Sequence, residues 1–309
     1  MALLGEVVRF TFLSLSITSI YVLVAIGLSI VFGSLKFVNM AHGALYLLGA
    51  YVGLFIAYSN TRVGGSLESF APLGLEWGFG AALILTPIVV AILGVIMERL
   101  MAKPLYDRDM LDQLLITFGV LIGLQEVIGI TTGRTGYTYT RPEWAQGPIP
   151  LPGIGTASRW RIYVIFATIA LLAIILMFYK YTDYGLAVRA GTEDAEMTQM
   201  LGIRITRPYL LIFAIGAAYA GLAGILGGST FNVGPQIGIE IIIPALVIVI
   251  MGGVGSIRGT IIAALMAGVT FSAVTEFWPA MATASIYILA IVVLTLKPQG
   301  IVPSVVLEE

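Results

Sequence analysis

The residue types that could do chemistry are sparse in this chain and gather mainly in one stretch. Residues 31–51, VFGSLKFVNMAHGALYLLGAY, hold the only histidine, His42, together with Lys36 and Asn39. A lone histidine without partners at ligand spacing does not make a metal site. There is no cysteine, and no apolar segment holds a carboxylate pair spaced for acid–base chemistry. We therefore expect no enzyme activity, no metal and no cofactor of the chain's own.

The composition indicates which elements must position these residues. Of the 309 residues 59% are hydrophobic and 11% are charged, with a mean hydropathy of +1.00. A soluble domain is nearer half apolar and a quarter charged, so most of this surface must face lipid. A net charge of −1 gives no reason to expect nucleic acid as a partner. Glu6 and Arg9 lead directly into a long apolar segment, so we expect no cleaved signal peptide.

Nine apolar windows are candidates for membrane helices, since about 20 apolar residues cross a bilayer. They are 10–35, 43–61, 77–97, 113–133, 162–179, 208–239, 241–257, 259–275 and 277–296. The short pair 241–257 and 259–275 could instead form a broken or re-entrant element. The sequence thus predicts an all-α integral membrane protein: a polytopic helical bundle of about 8–10 transmembrane segments with broken or re-entrant helices. We expect one transmembrane domain over residues 1–309.

The distribution of cations predicts the orientation. If each window crosses once, ten of the 16 lysines and arginines fall on the side of the connection 180–207, including all four lysines. Cytoplasmic loops carry the excess of lysine and arginine. We therefore expect that connection and the C-terminus in the cytoplasm, the N-terminus outside, and an extracytoplasmic loop at about 132–160.

Two polar patches share a pattern: an apolar run, a glycine, a short polar stretch with one cation, a glycine and another apolar run. They lie in residues 31–51 and 249–269. Where a membrane helix stops and restarts, freed backbone groups and helix ends can hold a polar solute. The candidate substrate-pathway residues are Asn39, His42, Gly43, Gly252, Gly253 and Ser256. The alternative, which Lys36 favours, is an ordinary cytoplasmic turn.

Small residues recur at intervals of four in FAIGAAYAGLAGILGG, where they occupy one helix face: Gly216, Ala220, Gly224 and Gly228. Such a face lets another backbone approach closely, which is how membrane helices associate. Gly49/Gly53 and Gly119/Gly123 repeat the spacing. These positions predict helix packing.

The connection YGLAVRAGTEDAEMTQMLGIRITRP (184–208) predicts a short helix at about 192–202. Thr192 could cap it and Gly202 would end it. Met197, Met200 and Leu201 then share one apolar face. A helix of about ten residues is not stable alone in water, so we expect this face to dock on headgroups or on another protein.

This segment resembles the coupling region of permeases of branched-chain amino acid ABC importers. The pattern Y-G-x-A-x-R-A-x-x-x-D-x-x-M-x-x-x-L-G-I is matched by Tyr184, Gly185, Ala187, Arg189, Ala190, Asp194, Met197, Leu201, Gly202 and Ile203. Gly33 followed by Asn39, Ala41, His42 and Gly43 is similar to the N-terminal signature of the group, and GGVGSIRG and KPQGIV are also similar to it. Glu196 and Gly202 keep the spacing of the wider importer motif Glu-Ala-Ala-x-x-x-Gly, although both alanines are missing.

The resemblance implies a permease subunit of an importer in a bacterial or archaeal inner membrane, working by ATP-driven alternating access. No lysine follows a glycine, so the chain lacks the G-x-x-x-x-G-K-[ST] loop, and ATP and Mg²⁺ belong to partner subunits. The implied partners are two ABC ATPase subunits, a related second permease in a heterodimer, and an extracytoplasmic solute-binding protein. The implied solutes are branched-chain or other aliphatic amino acids, or urea and short amides. The implied ATPase-coupling residues are Arg189, Asp194, Glu196, Met197, Met200, Leu201 and Gly202.

Two other functions fit the same composition. An ion-coupled secondary carrier would place ionisable groups near the membrane midplane, and Glu126, Glu240 and Glu276 are the candidates. By the windows above each lies near the end of a span, where we expect it to anchor the interface or cap a loop. A purely structural subunit would leave the solute path to its partner.

Overall fold

Helices form nearly all of the chain in this computed structural model, which describes residues 2–58, 64–70, 73–137, 139–151 and 155–302. The helices are α1 Ala2–Leu35, α2 His42–Ala57, α3 Gly78–Met97, α4 Met110–Thr132, α5 Arg159–Tyr181, α6 Asp183–Glu193, α7 Ala195–Met200, α8 Thr206–Gly227, α9 Ile237–Gly252, α10 Ile257–Phe277 and α11 Ala282–Leu296. Short 3₁₀ turns lie at Gly65–Phe70, Lys103–Leu105, Glu143–Ala145 and Pro279–Met281, and a π-helical turn extends α3 at Glu98–Ala102. A small antiparallel hairpin, β1 Pro148–Leu151 and β2 Gly155–Ser158, lies in the connection between α4 and α5.

Seven helical segments among the described residues are long and apolar enough to cross a membrane. They contain α1, α3, α4, α5, α8, α10 and α11, and the apolar helices α2 and α9 are shorter, at 16 residues each. The prediction of an all-α polytopic membrane protein is confirmed. The window 208–239 is not one span, because α8 ends at Gly227 and α9 begins at Ile237. The backbone N–H groups of Thr230 and Phe231 both bond to the Gly227 carbonyl, which closes α8 with a turn.

Helices α1, α2, α8 and α9 form the centre of the bundle. In the most apolar part of α1, 94% of the residues are buried, against 17% in α5 and in α11. The outer helices present large apolar side chains outward; on α3 the exposed residues follow a four-residue repeat, Ile84, Ile88, Ile92 and Ile96. Four residues are about one turn, so these side chains form a single lipid-facing row.

The small residues of α8 lie at close contacts, but with three different partners. A Cβ atom placed on Gly216 would come 2.8 Å from the Gly27 carbonyl oxygen of α1, and one on Gly224 would collide with the Tyr46 carbonyl of α2. Gly228 lies under the ring of Tyr139, and Ala220 is fully buried. Larger side chains at the two glycines inside α8 would force α1 or α2 away from it.

Candidate functional site

The helical path stops between α1 and α2, and it stops inside the bundle. Residues 36–41 are not helical, and Lys36 has a positive φ of 49° where the chain turns back. A Cβ atom placed on Gly27 would lie 3.0 Å from His42 Nε2. Gly27 is eight residues before the end of α1, so α2 begins roughly 12 Å inside that end. The helical path is thus discontinuous in the first of the two polar patches, between α1 and α2.

Side chains of α4 satisfy the freed backbone of the interrupted segment, residues 36–41. Val38 N donates to Gln113 Oε1 and Met40 N to Thr117 Oγ1, each at 3.1 Å. The two donors are two residues apart in an extended chain, which advances roughly 6.6 Å over that stretch. The two acceptors are four residues apart on a helix, which advances roughly 6 Å, so the spacing of the donors matches that of the acceptors. Gln113 Nε2 in turn donates to the carbonyl of Leu105, which anchors it. Non-helical backbone at this depth is stable because protein covers it.

Helix α9 begins at the same level and runs the opposite way. Ile239 N donates to Gln125 Oε1 at 3.0 Å, and a Cβ atom on Gly238 would lie 2.9 Å from the Gly43 carbonyl oxygen. The far end of α2 lies near the connection between α4 and α5, where Tyr58 donates to the Thr140 carbonyl. The C-terminal end of α9 leads to a turn that packs against the C-terminal end of α1. Two helices of 16 residues, each about half the length of α1 and called half-length helices below, therefore start together inside the bundle and run apart.

Asn39 and His42 lie buried at this meeting point, with exposed fractions of 1% and 0%. Within the described residues the side-chain nitrogen and oxygen atoms of Asn39 lack a hydrogen-bond partner, and the His42 imidazole lies near the backbone of Val24. A buried polar group without a partner costs about 1–3 kcal/mol, so such groups need a reason to persist. Water or a polar solute beside them would supply the missing bonds. The described residues contain no cluster of side chains that could hold a metal ion.

The other candidate pathway residues lie elsewhere. Gly252, Gly253 and Ser256 form the turn between α9 and α10, where Gly253 has a φ of 104° and Ser256 Oγ caps α10. Ile301 and Val302 donate their backbone N–H groups to the last carbonyls of α9, so the C-terminal segment covers this turn. The second interruption of the helical path precedes α9, at residues 228–236, and does not lie at this turn.

Three polar residues of α4 were not predicted as part of the site. Gln113, Thr117 and Gln125 are buried, and their spacing of four and eight residues places them on one helix face. The signal was present in the window 113–133 as uncharged polar residues in one row of an otherwise apolar helix. Such a row indicates polar backbone on a neighbouring element that needs acceptors.

The connection between α4 and α5 covers the outer end of α2. The Tyr139 hydroxyl donates to the Ala50 carbonyl, and Tyr137 pairs with Val233 through two backbone bonds. Burial raises the pKa of Tyr139 well above its ordinary value, so the phenol stays protonated and remains a donor. The connection thus joins α2 to residues 228–236.

The predicted coupling helix is two helices. Asp194 Oδ1 accepts the Met197 N–H at 2.8 Å and caps α7, whereas Thr192 lies inside α6 and donates to the Val188 carbonyl. The expectation that Thr192 caps a helix over 192–202 is therefore wrong: the chain becomes extended at Asp194, and α7 starts there. Gly202 follows with a φ of 83°, which ends the element as predicted.

The segment predicted to couple to an ATPase, residues 183–203 and called the coupling arm for that prediction, exposes its apolar face. Met200 is 73% exposed and Leu201 74%, and Met197, Arg189 and Glu196 are exposed as well. A groove of ≈ 430 Å³ separates α6 from the start of α8. Its lining is mainly apolar with cations at the edge: Asp183, Tyr184, Leu186, Ala187, Ala190, Ile203, Arg204, Arg207 and Pro208.

The chain resembles known permeases over most of its length. Residues 10–296 match the model of the family described as branched-chain amino acid transport system / permease component. The high-affinity branched-chain amino acid transport system permease protein LivH of Salmonella typhimurium is 31% identical, over 84% of this chain and 82% of that protein. BraD of Pseudomonas aeruginosa, a permease of the same description, is 32% identical over 82% of each chain. This chain belongs to the branched-chain amino acid transport system permease family.

Proposed function

We propose that this chain carries branched-chain or other aliphatic amino acids across the inner membrane as one permease subunit of an ABC importer. Membership of the family supports a transport subunit for amino acids, and its relatives are named as branched-chain amino acid permeases. The same membership favours an ATP-driven importer over an ion-coupled carrier. A path through few fixed charges also suits a zwitterion, which carries no net charge.

The exposed apolar face of the coupling arm is the observation that carries the proposal of an ATPase partner. Methionine and leucine side chains on a six-residue helix cannot stabilise that helix in water, so they need a groove on another protein. The groove beside α6 offers a second surface for the same partner. We infer that Arg189, Asp194, Glu196, Met197, Met200, Leu201 and Gly202 form or support the contact with the ATPase, which uses ATP and Mg²⁺.

Solute would pass beside the point where α2 and α9 begin. Half-length helices that meet in the bundle can shift relative to each other without breaking a continuous helix, which suits alternating access. Asn39, His42 and Gly43 are buried at this point, so a polar solute would reach the amide and the imidazole only when the helices shift. Gly252, Gly253 and Ser256 would act at the other end of α9, as a hinge.

The remaining subunits follow from the family. We propose a heterodimer with a related second permease, two ATPase subunits on the cytoplasmic side, and an extracytoplasmic binding protein on the α4–α5 connection. The excess of cations on the side of the coupling arm supports a cytoplasmic C-terminus and an extracytoplasmic N-terminus.

Met200→Glu tests the coupling proposal. Because Met200 is largely exposed, the variant should insert and fold normally, while a charge in the apolar contact should lower ATP-dependent leucine uptake by roughly 30-fold. The assay is uptake into proteoliposomes that hold the complete transporter and its binding protein. Met281→Glu, the same change at an exposed methionine on the other side by the cation count, should transport normally. Normal uptake by Met200→Glu would show that the arm is not the coupling surface.

A further inference from the structure

We propose that Glu240 is the carboxylate in the transport path that receives the ammonium group of the solute. This inference rests on the proposed function and narrows its substrate class. A solute recognised in this way carries a free amino group, as an α-amino acid does, whereas urea and short amides are uncharged. An ammonium–carboxylate contact is a charge-assisted hydrogen bond, roughly twice as strong as a neutral one.

The depth of Glu240 is the first observation. By the windows of the sequence it should lie near the end of a span, but the structure puts it in the first turn of α9. Gly238 packs against Leu121, the central residue of α4, and Ile239 N bonds to Gln125, four residues further along. Four helical residues advance roughly 6 Å, against about 30 Å for the hydrocarbon layer. Glu240 therefore starts near the middle of the bundle.

The surroundings of Glu240 are the second observation. The residue is exposed, and within the described part of the chain no cation lies within ion-pair distance of its carboxylate. Two other exposed membrane carboxylates do have partners: Glu126 pairs with Arg134 at 2.7 Å and Glu276 with Arg9 at 3.3 Å.

A carboxylate at this depth cannot face lipid without a large cost. The face of α9 that carries Glu240 must therefore meet water or protein in the assembled transporter. Ile243 and Ile250 are exposed on that face, three and ten residues along. A carboxylate followed by isoleucine side chains complements an ammonium group attached to an aliphatic chain.

A cation of the second permease is the competing occupant. In that case Glu240 would hold the two permeases together and would not contact solute. The two occupants differ in what the loss of the charge does: removing a solute contact slows transport, whereas removing an intersubunit ion pair weakens the assembly.

The test is Glu240→Gln in the complete transporter, reconstituted with saturating, leucine-loaded binding protein. We expect the maximal uptake rate to fall roughly tenfold or more, with normal assembly on size-exclusion chromatography. Glu240→Asp should restore most of the rate, and Glu276→Gln, a matched carboxylate at the end of α10, should leave it unchanged. An unchanged rate in Glu240→Gln, or dissociation of the complex, would overturn the assignment.

The failure of this inference can be distinguished from failure of the proposed function. If the unaltered transporter shows no ATP-dependent uptake of leucine or of urea, the proposed function fails. If it takes up urea or acetamide but not leucine, the importer role stands, but the proposed amino acid substrate and the assignment of Glu240 to an ammonium group are both wrong. If it takes up leucine and Glu240→Gln is as fast as the unaltered protein, only the assignment of Glu240 fails. Uptake of leucine and exclusion of urea, together with a slow Glu240→Gln variant, supports both.

Discussion

The two half-length helices, α2 and α9, start at the same level and have opposite surroundings. The entry to α2 is covered on all sides: Val38 and Met40 are bonded to α4, and Asn39 and His42 are fully buried. The entry to α9 is joined to α4 by one side-chain bond, to Gln125, and leaves Glu240 exposed. Buried polar atoms without partners thus lie on one helix and an exposed charge without a partner on the other.

The two helix starts therefore differ in how closely they are packed and in what can reach them. The start of α2 packs closely against α4, α8 and α9, and this packing holds its polar side chains in one position. The α9 side has a free face, so it can meet solute, water or a second subunit.

The largest effect we expect is from Gly43→Val, which tests whether the two helices truly meet. A Cβ atom at Gly43 would collide with the Gly238 carbonyl, so the variant must separate the helices. We expect destabilisation of about 3 kcal/mol or more and little folded protein. Fluorescence-detected size-exclusion chromatography measures the yield of folded protein directly.

The control is Gly123→Val on α4. A Cβ atom there would meet nothing within 4 Å of it among the described residues, contrary to the packing predicted from the Gly119/Gly123 spacing. That variant should fold, and any change in its stability should come only from the altered helix propensity within α4. Equal yields for the two variants would show that α2 and α9 are not in contact at this depth.

Thr117→Val should have the next largest effect, because it removes the acceptor of the Met40 N–H inside the bundle. An unsatisfied buried donor costs about 1–3 kcal/mol, so the melting temperature and uptake should both fall. Thr131→Val is the matched change, since that hydroxyl bonds only to carbonyls of its own helix. A melting temperature equal to that of Thr131→Val would mean that α4 does not support the interrupted segment.

Asn39→Ala should separate transport from stability. The Asn39 side chain has no hydrogen-bond partner in the described structure, so its loss leaves no protein group unsatisfied. We expect slower leucine uptake, by roughly tenfold if one polar contact to solute is lost, with a melting temperature near that of the unaltered protein. A lower melting temperature with unchanged uptake would assign Asn39 to structure alone.

The smallest effect belongs to Glu126→Gln. Its pair with Arg134 is about half exposed on both sides, and exposed ion pairs contribute about 0–1 kcal/mol. We expect a change in the free energy of unfolding within that range and normal uptake, measured by denaturant titration and by transport. A loss of uptake as large as that of Glu240→Gln would show that the two carboxylates are not distinct in role.

Much of the fold could be predicted from apolar periodicity, because a bilayer requires continuous apolar helices. The interruption at residues 36–41 was also predictable, since glycine and polar residues gather there without a charge run. The break after Gly227 was missed because residues 228–236 include Phe231 and Val233 and carry no charge. Hydropathy measures side chains, whereas backbone turns ended this helix.

The parts of the site that were missed depend on tertiary contacts. Thr192 and Asp194 are both good cap residues, and only the backbone of the folded chain decides that Asp194 caps α7. The row of polar residues on α4 could indicate that Gln113 and Thr117 have partners on a neighbouring element, but not that the partner is an extended segment 75 or more residues away in sequence. The depth of Glu240 likewise follows from where α9 starts.

The central claim is that the exposed face of α9 meets an aqueous path near the middle of the membrane. The chain has no cysteine, so single cysteines can be placed without background. In the assembled transporter, Glu240→Cys and Ile243→Cys should react with a charged, membrane-impermeant thiol reagent, and leucine with ATP should slow the reaction. Ile242→Cys, at a fully buried position, should not react. If the first two react only with a lipid-soluble reagent, this face of α9 meets lipid and the account is wrong.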